Sequence, residues 1–116
     1  MIVNELVQQL RRQRYRVGQE AWLQMDIEAA LTALGVTFER EACLSTRDRI
    51  DFLIDGGIGI EAKTRCAPRQ IFRQLERYAE HDAITSLILI SGTATGLPSV
   101  INGRPLFYIS TGRAAL

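Results

Sequence analysis

Cysteine is scarce in this chain of 116 residues: only Cys43 and Cys66 occur, too few for a disulfide scaffold, a four-cysteine zinc site or a four-cysteine iron–sulfur cluster. A single histidine, His81, gives no reason to invoke zinc. Aromatic residues make up 7%, and neither sign of charge is in excess. With 14 Lys and Arg against 13 Asp and Glu, the net charge of +1 argues against a protein that coats nucleic acid by bulk electrostatics, so a charged partner must be recognised through a local patch. No apolar run approaches the ~20 residues of a membrane span, and the opening MIVNELVQQLRRQ has no signal-peptide core. The expectation is a cytoplasmic protein with no membrane partner. What is present, 47% hydrophobic and 23% charged residues, argues against disorder, and the length suits one domain around one core.

Val3, Leu6, Val7 and Leu10 recur at helical spacing and lead into Arg11, Arg12, Arg14 and Arg16, so residues 1–17 read as a short helix with a basic end. A stronger helix spans 19–34, with Leu23, Ile27, Leu31 and Leu34 on one stripe and Gly35 as its stop. The period then changes. VTFEREACL, DRIDFLID and IGIEAKT alternate β-branched and aromatic residues, giving three strands over roughly 36–64, with Asp55-Gly56-Gly57 between the second and third. Pro68 opens a helix to about His81, whose apolar face is Ile71, Phe72, Leu75, Tyr78 and Ala79. Ile84 to Ile90 is a continuous apolar run suited to a strand buried on both faces, and the helical crossover before it implies parallel pairing with the third strand. Asn102-Gly103 precedes a last strand near Leu106 to Ser110. The order ααβββαβ(β) predicts the α/β class: an α/β/α sandwich around a central mixed sheet of four to five strands. It forms one domain with its core in 18–91 and a C-terminal loop and strand in 92–116.

Ile50, Phe52 and Ile54 share one face of the second strand, and Ile58, Ile60 and Ala62 one face of the third. Asp51, Glu61 and Lys63 therefore fall on the opposite faces of those strands. Whether they converge depends on register. A two-residue turn puts Asp51 opposite Ala62, whereas a three-residue loop, Asp55-Gly56-Gly57, puts it opposite Glu61; the glycines favour the longer loop, in which one residue adopts a left-handed conformation. Two adjoining carboxylates repel unless a proton or cation lies between them. An oxygen-rich pair selects Mg²⁺, with Mn²⁺ as a substitute, and such an ion binds phosphate oxygens and promotes phosphodiester hydrolysis. Lys63 would position or deprotonate the attacking water and steady the pentacovalent phosphorus.

Asp51, a hairpin, Glu61-Ala62-Lys63 with Thr64, and then a helix holding Gln74-Leu75-Glu76-Arg77-Tyr78 together resemble the PD-(D/E)XK, or restriction-endonuclease-like, nuclease superfamily, within it the RecB-like branch. The resemblance covers roughly 18–91. It departs at Ile50, where proline is usual, and in lacking the cysteine quartet of the iron–sulfur relatives, so no cluster is implied. It implies a restriction-endonuclease-like αβββαβ core, with Asp51, Glu61, Lys63 and Gln74 as catalytic residues. As metal ligands it implies Asp51, Glu61, the Ala62 carbonyl and an acid on the helix before the sheet, for which Glu20 is the candidate.

Several residues have two readings. Glu20 shares the stripe of Leu23 and Ile27 and is either a ligand or a first-turn acid favoured by the helix dipole; Glu39 and Glu41 are second choices. Gln74 and Tyr78, one turn apart, either face the site or divide between solvent and core. Arg65, Arg69, Arg73 and Arg77 form a stripe that contacts phosphate or pairs along the helix. Arg12 and Arg14 grip a duplex or are simply solvated. His81 reads as a helix cap and Trp22 as packing. The expected activity is a Mg²⁺-dependent deoxyribonuclease acting on DNA, with a homodimer as the expected assembly; the nearest alternative is a Holliday-junction or branched-DNA resolving enzyme. The rivals are a catalytically inactive nucleic-acid-binding or assembly protein on the same fold, and an unrelated α/β interaction domain.

Overall fold

The computed structural model describes residues 2–93 and 96–111; readings that touch Met1, Ala94, Thr95 and 112–116 lie outside them. Helix α1 (Val3–Arg11) buries the predicted stripe Leu6, Val7 and Leu10. It ends before the basic cluster does: Arg12 caps it, and Arg14 and Arg16 lie beyond. Helix α2 (Glu20–Leu34) buries Leu23, Ile27, Ala30 and Leu31 and closes at Gly35. Strands β1 (Phe38–Cys43), β2 (Arg49–Ile54) and β3 (Ile58–Lys63) follow, then α3 (Pro68–Ala79) with Pro68 at its first position, and β4 (Ser86–Ser91). The chain continues with β5 (Val100–Ile101) and β6 (Arg104–Ser110).

The six strands form one open mixed sheet in the order β1-β2-β3-β4-β6-β5. The β1–β2 and β2–β3 pairs are antiparallel, and β3–β4 and β4–β6 are parallel, as the crossover through α3 requires. The sheet is one strand wider than the four to five expected. The addition is β5, which pairs with Arg104 and Pro105 around the left-handed Asn102-Gly103 turn; two residues are too few to show alternation.

Apolar clusters cover both faces. On one, α1 and α2 pack against Phe52, Ile54, Ile58, Ile60, Ala62, Ile88 and Ile90; on the other, Ile71, Leu75 and Tyr78 of α3 pack with Leu87 and Leu89. Ile50 corrects the expectation of simple alternation: it belongs to the α3 side, whereas Phe52 belongs to the α2 side. Ile50 reaches across Gly59, where a Cβ would collide with its Cδ1 and press on Ile84 Cδ1 at 3.1 Å.

The hairpin has the three-residue loop. Ile54 pairs with Ile58 and Phe52 with Ile60, with Asp55, Gly56 and Gly57 between. Gly57 has φ 87°, and a Cβ there would lie 2.5 Å from the Ala83 carbonyl oxygen, so glycine is required on both counts. Thr85 secures the loop to the strand beyond: its Oγ1 donates to the Gly56 carbonyl at 2.6 Å and its N–H to the Gly57 carbonyl at 2.8 Å.

Candidate active site

The register places Asp51 directly beyond the Phe52–Ile60 pair and therefore level with Glu61. There the main-chain ladder gives way to side chains. Asp51 N–H donates to Glu61 Oε1 at 3.3 Å, and Ala62 N–H donates to Asp51 Oδ2 at 2.8 Å. Two carboxylates thus stand where strand carbonyls would normally accept, and β2 and β3 splay into a wedge. Lys63 completes the group, with its Nζ 3.3 Å from Glu61 Oε2. The three residues singled out by parity and loop length are brought together.

Electrostatics follow from this confinement. Glu61 is 2% exposed, and burial, reinforced by the Asp51 charge, pushes its pKa up to about 8. Burial also raises Asp51, with Glu20 and Glu41 adding to the effect. For Lys63 burial opposes the charged amine, but Glu61, Glu20 and Asp51 together outweigh it and hold the pKa above the ordinary lysine value. The charge of Glu20, in the first turn of α2, acts on both Asp51 and Lys63.

Among the described residues no group of three or more His, Cys, Asp or Glu side chains is placed to hold a metal ion. The oxygen set is the pair Asp51 and Glu61, with Glu20 acting at longer range. A pair suffices for Mg²⁺, which keeps several of its waters and is commonly held by one or two carboxylates plus substrate phosphate. The donor chemistry fits such an ion. Burial, with neighbouring carboxylate charge adding to it, displaces both carboxyl groups towards protonation in the folded protein, and a divalent cation would favour their ionised forms. The N–H of Ala62 is committed to Asp51, and a ligand role for its carbonyl rests on the family resemblance alone.

Helix α3 separates into residues that adjoin the site, residues that anchor the helix and residues that face solvent. Gln74 Nε2 donates to Tyr78 Oη at 2.8 Å, and Tyr78 Oη donates to the Arg49 carbonyl at 2.8 Å, two residues before Asp51. Tyr78 is 1% exposed, and burial, with the Glu61 and Asp51 charges behind it, raises its pKa. It is a core anchor, out of reach of a nucleic acid lying on the surface, and its hydroxyl holds the Gln74 amide.

Arg77 is also an anchor. Its Nε donates to Asp48 Oδ1 at 3.1 Å, while His81 Nε2 lies 2.9 Å from Asp48 Oδ2. The His81 hydrogen bond, with Arg77 assisting, holds the Asp48 carboxyl below the usual range. The Asp48 clasp escapes the sequence reading, because no local pattern marks Asp48 as the shared partner of Arg77 and His81. His81 does not cap the helix through its side chain. Trp22 does not pack fully: it is 39% exposed, with the Arg16 guanidinium 5.8 Å from its ring centroid.

Arg65, Arg69 and Arg73 are exposed and form no ion pair among the described residues. Arg12 and Arg14 are exposed as well, but at the end of α1, which packs against β6 on the α2 side of the sheet. The two basic groups therefore lie on different faces. A cavity of about 410 Å³ opens at the hairpin end, between Phe38, Leu53, Gly57 and Ala83. Asp51, Glu61 and Lys63 do not line it.

No protein-family model matches the chain, and none of the curated proteins or solved structures compared with it matches. Among the described residues no helix is long and apolar enough to cross a membrane.

Proposed function

We propose that this chain is a divalent-metal-dependent nuclease that hydrolyses phosphodiester bonds in DNA on a restriction-endonuclease-like core. The observation that supports it most is the wedge between β2 and β3, where Asp51, Glu61 and Lys63 meet within hydrogen-bonding reach. Asp51 and Glu61 would hold Mg²⁺ or Mn²⁺, with Glu20 contributing charge from α2. When bound, the ion lowers the pKa of the attacking water and neutralises charge developing on the phosphate. Lys63, held in its ammonium form by the surrounding carboxylates, donates to a phosphate oxygen and steadies the pentacovalent phosphorus; it orients water rather than deprotonating it. Gln74, aligned by Tyr78, offers its amide oxygen to the attacking water and its second amide N–H to a phosphate oxygen of the substrate. Arg65, Arg69 and Arg73 supply phosphate contacts that carry no sequence information.

A chain of 13.0 kDa has little surface with which to hold a duplex, so a homodimer presenting one site to each strand belongs to the proposal, as does junction or branched DNA as its substrate. The direct test is cleavage of a labelled plasmid. Cutting with Mg²⁺, its absence in EDTA, and at least a hundredfold loss in Lys63→Ala are the expected results; full activity in Lys63→Ala would overturn the mechanism. The rival is a catalytically inactive nucleic-acid-binding protein on the same fold. That reading predicts salt-sensitive retention of DNA without product.

A further inference from the structure

The β1–β2 ladder has a gap beside the wedge. Pairs run from Phe38–Ile54 to Arg40–Phe52 and resume at Ala42–Ile50 and Cys43–Arg49 in unchanged register, so no residue is inserted; only the Glu41–Asp51 pair is absent. Glu41 has φ 53°, a left-handed conformation that a residue with a Cβ rarely adopts inside a strand. Both strands change face at that point. The Arg40 guanidinium stacks 4.8 Å from the Phe52 ring centroid on the α2 side, whereas Ala42 and Ile50 pack on the α3 side. Residues two apart in a regular strand share a face, so the chain turns by about half a revolution at Glu41 and Asp51. The Glu41 carboxylate points elsewhere: it lies 3.6 Å from Arg49 Nη1 and is half exposed.

We propose that Glu41 is a positioning residue that acts through its backbone, its left-handed kink turning β2 so that Asp51 leaves the ladder and meets Glu61 and the Ala62 N–H. The consequence for catalysis rests on the nuclease reading above; the geometric cause does not. A regular β1 would restore alternation and allow the β2–β3 ladder to continue past Phe52. The residue type at position 41 should then matter in an order opposite to strand propensity. Glycine and asparagine accept φ near +53° readily, and a β-branched residue does not.

The test compares Glu41→Gly, Glu41→Asn and Glu41→Val in the full chain. Amide proton spectra and exchange rates report on the Ala62 N–H, whose acceptor is Asp51 Oδ2 only while the wedge is open. The Gly and Asn variants keep the native Ala62 resonance. The Val variant, or Glu41→Ala if the branched residue prevents folding, shifts it and changes its exchange tenfold or more. In Mg²⁺-dependent plasmid cleavage the Gly and Asn variants exceed the Val variant at least tenfold. A folded Val variant with native Ala62 behaviour overturns the proposal. So does a Gly variant as disturbed as the Val variant, because that would assign the effect to the carboxylate. If no form of the protein cuts DNA while Ala62 responds as described, the positioning role stands and the nuclease reading falls.

Discussion

With its pKa near 8, Glu61 is bound to its proton more tightly in the folded protein than in the unfolded chain, where a glutamate titrates at an ordinary 4.5. Its linkage to stability therefore runs opposite to that of a salt-bridged acid: the contribution is fullest below about pH 4.5 and is lost as pH rises towards 8. Between pH 5 and pH 8 in EDTA, the melting temperature should fall as pH rises. Glu61→Gln, which keeps an acceptor for Asp51 N–H, should raise it at pH 8 by roughly 5 °C or more while abolishing cleavage. Added Mg²⁺ should stabilise the native protein more at pH 8 than at pH 5; scanning calorimetry checks the three stability outcomes and plasmid cleavage the loss of activity. Asp51, Glu61 and Lys63 are legible in the sequence because the glycine-bearing loop sets the register that levels Asp51 with Glu61, although the alternation expected of Ile50, Phe52 and Ile54 fails at Asp51. The kink at Glu41 is not, since a left-handed glutamate leaves the alternation of hydrophobic letters looking regular.

At the scale of elements, α3 shows why a basic stripe read every four residues is only partly correct. Arg69, Arg73 and Arg77 are spaced alike in the sequence, but Asp48 waits in the turn before β2 for the last of them. No local pattern announces that partner, because it lies 29 positions away. Substitutions should separate the two roles. Arg69→Ala and Arg73→Ala should each weaken DNA binding several-fold, without sequence preference and with little change in melting temperature. Arg77→Ala should instead lower the melting temperature, because the Asp48 carboxylate loses one of its two partners. Fluorescence anisotropy on short duplexes, paired with thermal melts, distinguishes them. Helices α2 and α3 are legible almost to the residue, owing to strong periodicity, the stop at Gly35 and the start at Pro68, whereas α1 ends at Arg11, short of the 1–17 expected. Strand β5 is not, since tertiary pairing alone defines its two residues.

For the whole molecule, a net charge of +1 means that affinity for a polyanion must come from a few positioned cations rather than from the overall field. If Arg65, Arg69 and Arg73 carry the contact, the logarithm of the binding constant should fall with the logarithm of salt concentration at a slope near −2.7, about −0.9 for each phosphate neutralised. Titrations between 50 and 200 mM salt, run with Lys63→Ala to prevent cutting, measure it. A slope near −4.5 would bring in Arg12 and Arg14 on the other face, about −0.9 for each of five phosphates, and with them a substrate that wraps the domain. The mixed sheet with helices on both sides is legible from the order of elements, because a crossover helix between apolar strands leaves few topologies open.

The clasp of Thr85 on the hairpin has an evolutionary corollary. Three loop residues set the spacing at which the wedge closes on its acids, and Gly57 is wedged against Ala83 so that it cannot slide. This loop behaves as a gauge block, intolerant of insertion or deletion although it lies on the surface, where length variation is ordinarily harmless. A slip of one residue, to a two-residue turn at Gly56-Gly57, would set Asp51 against Ala62 and put the two acids on opposite sides of the sheet.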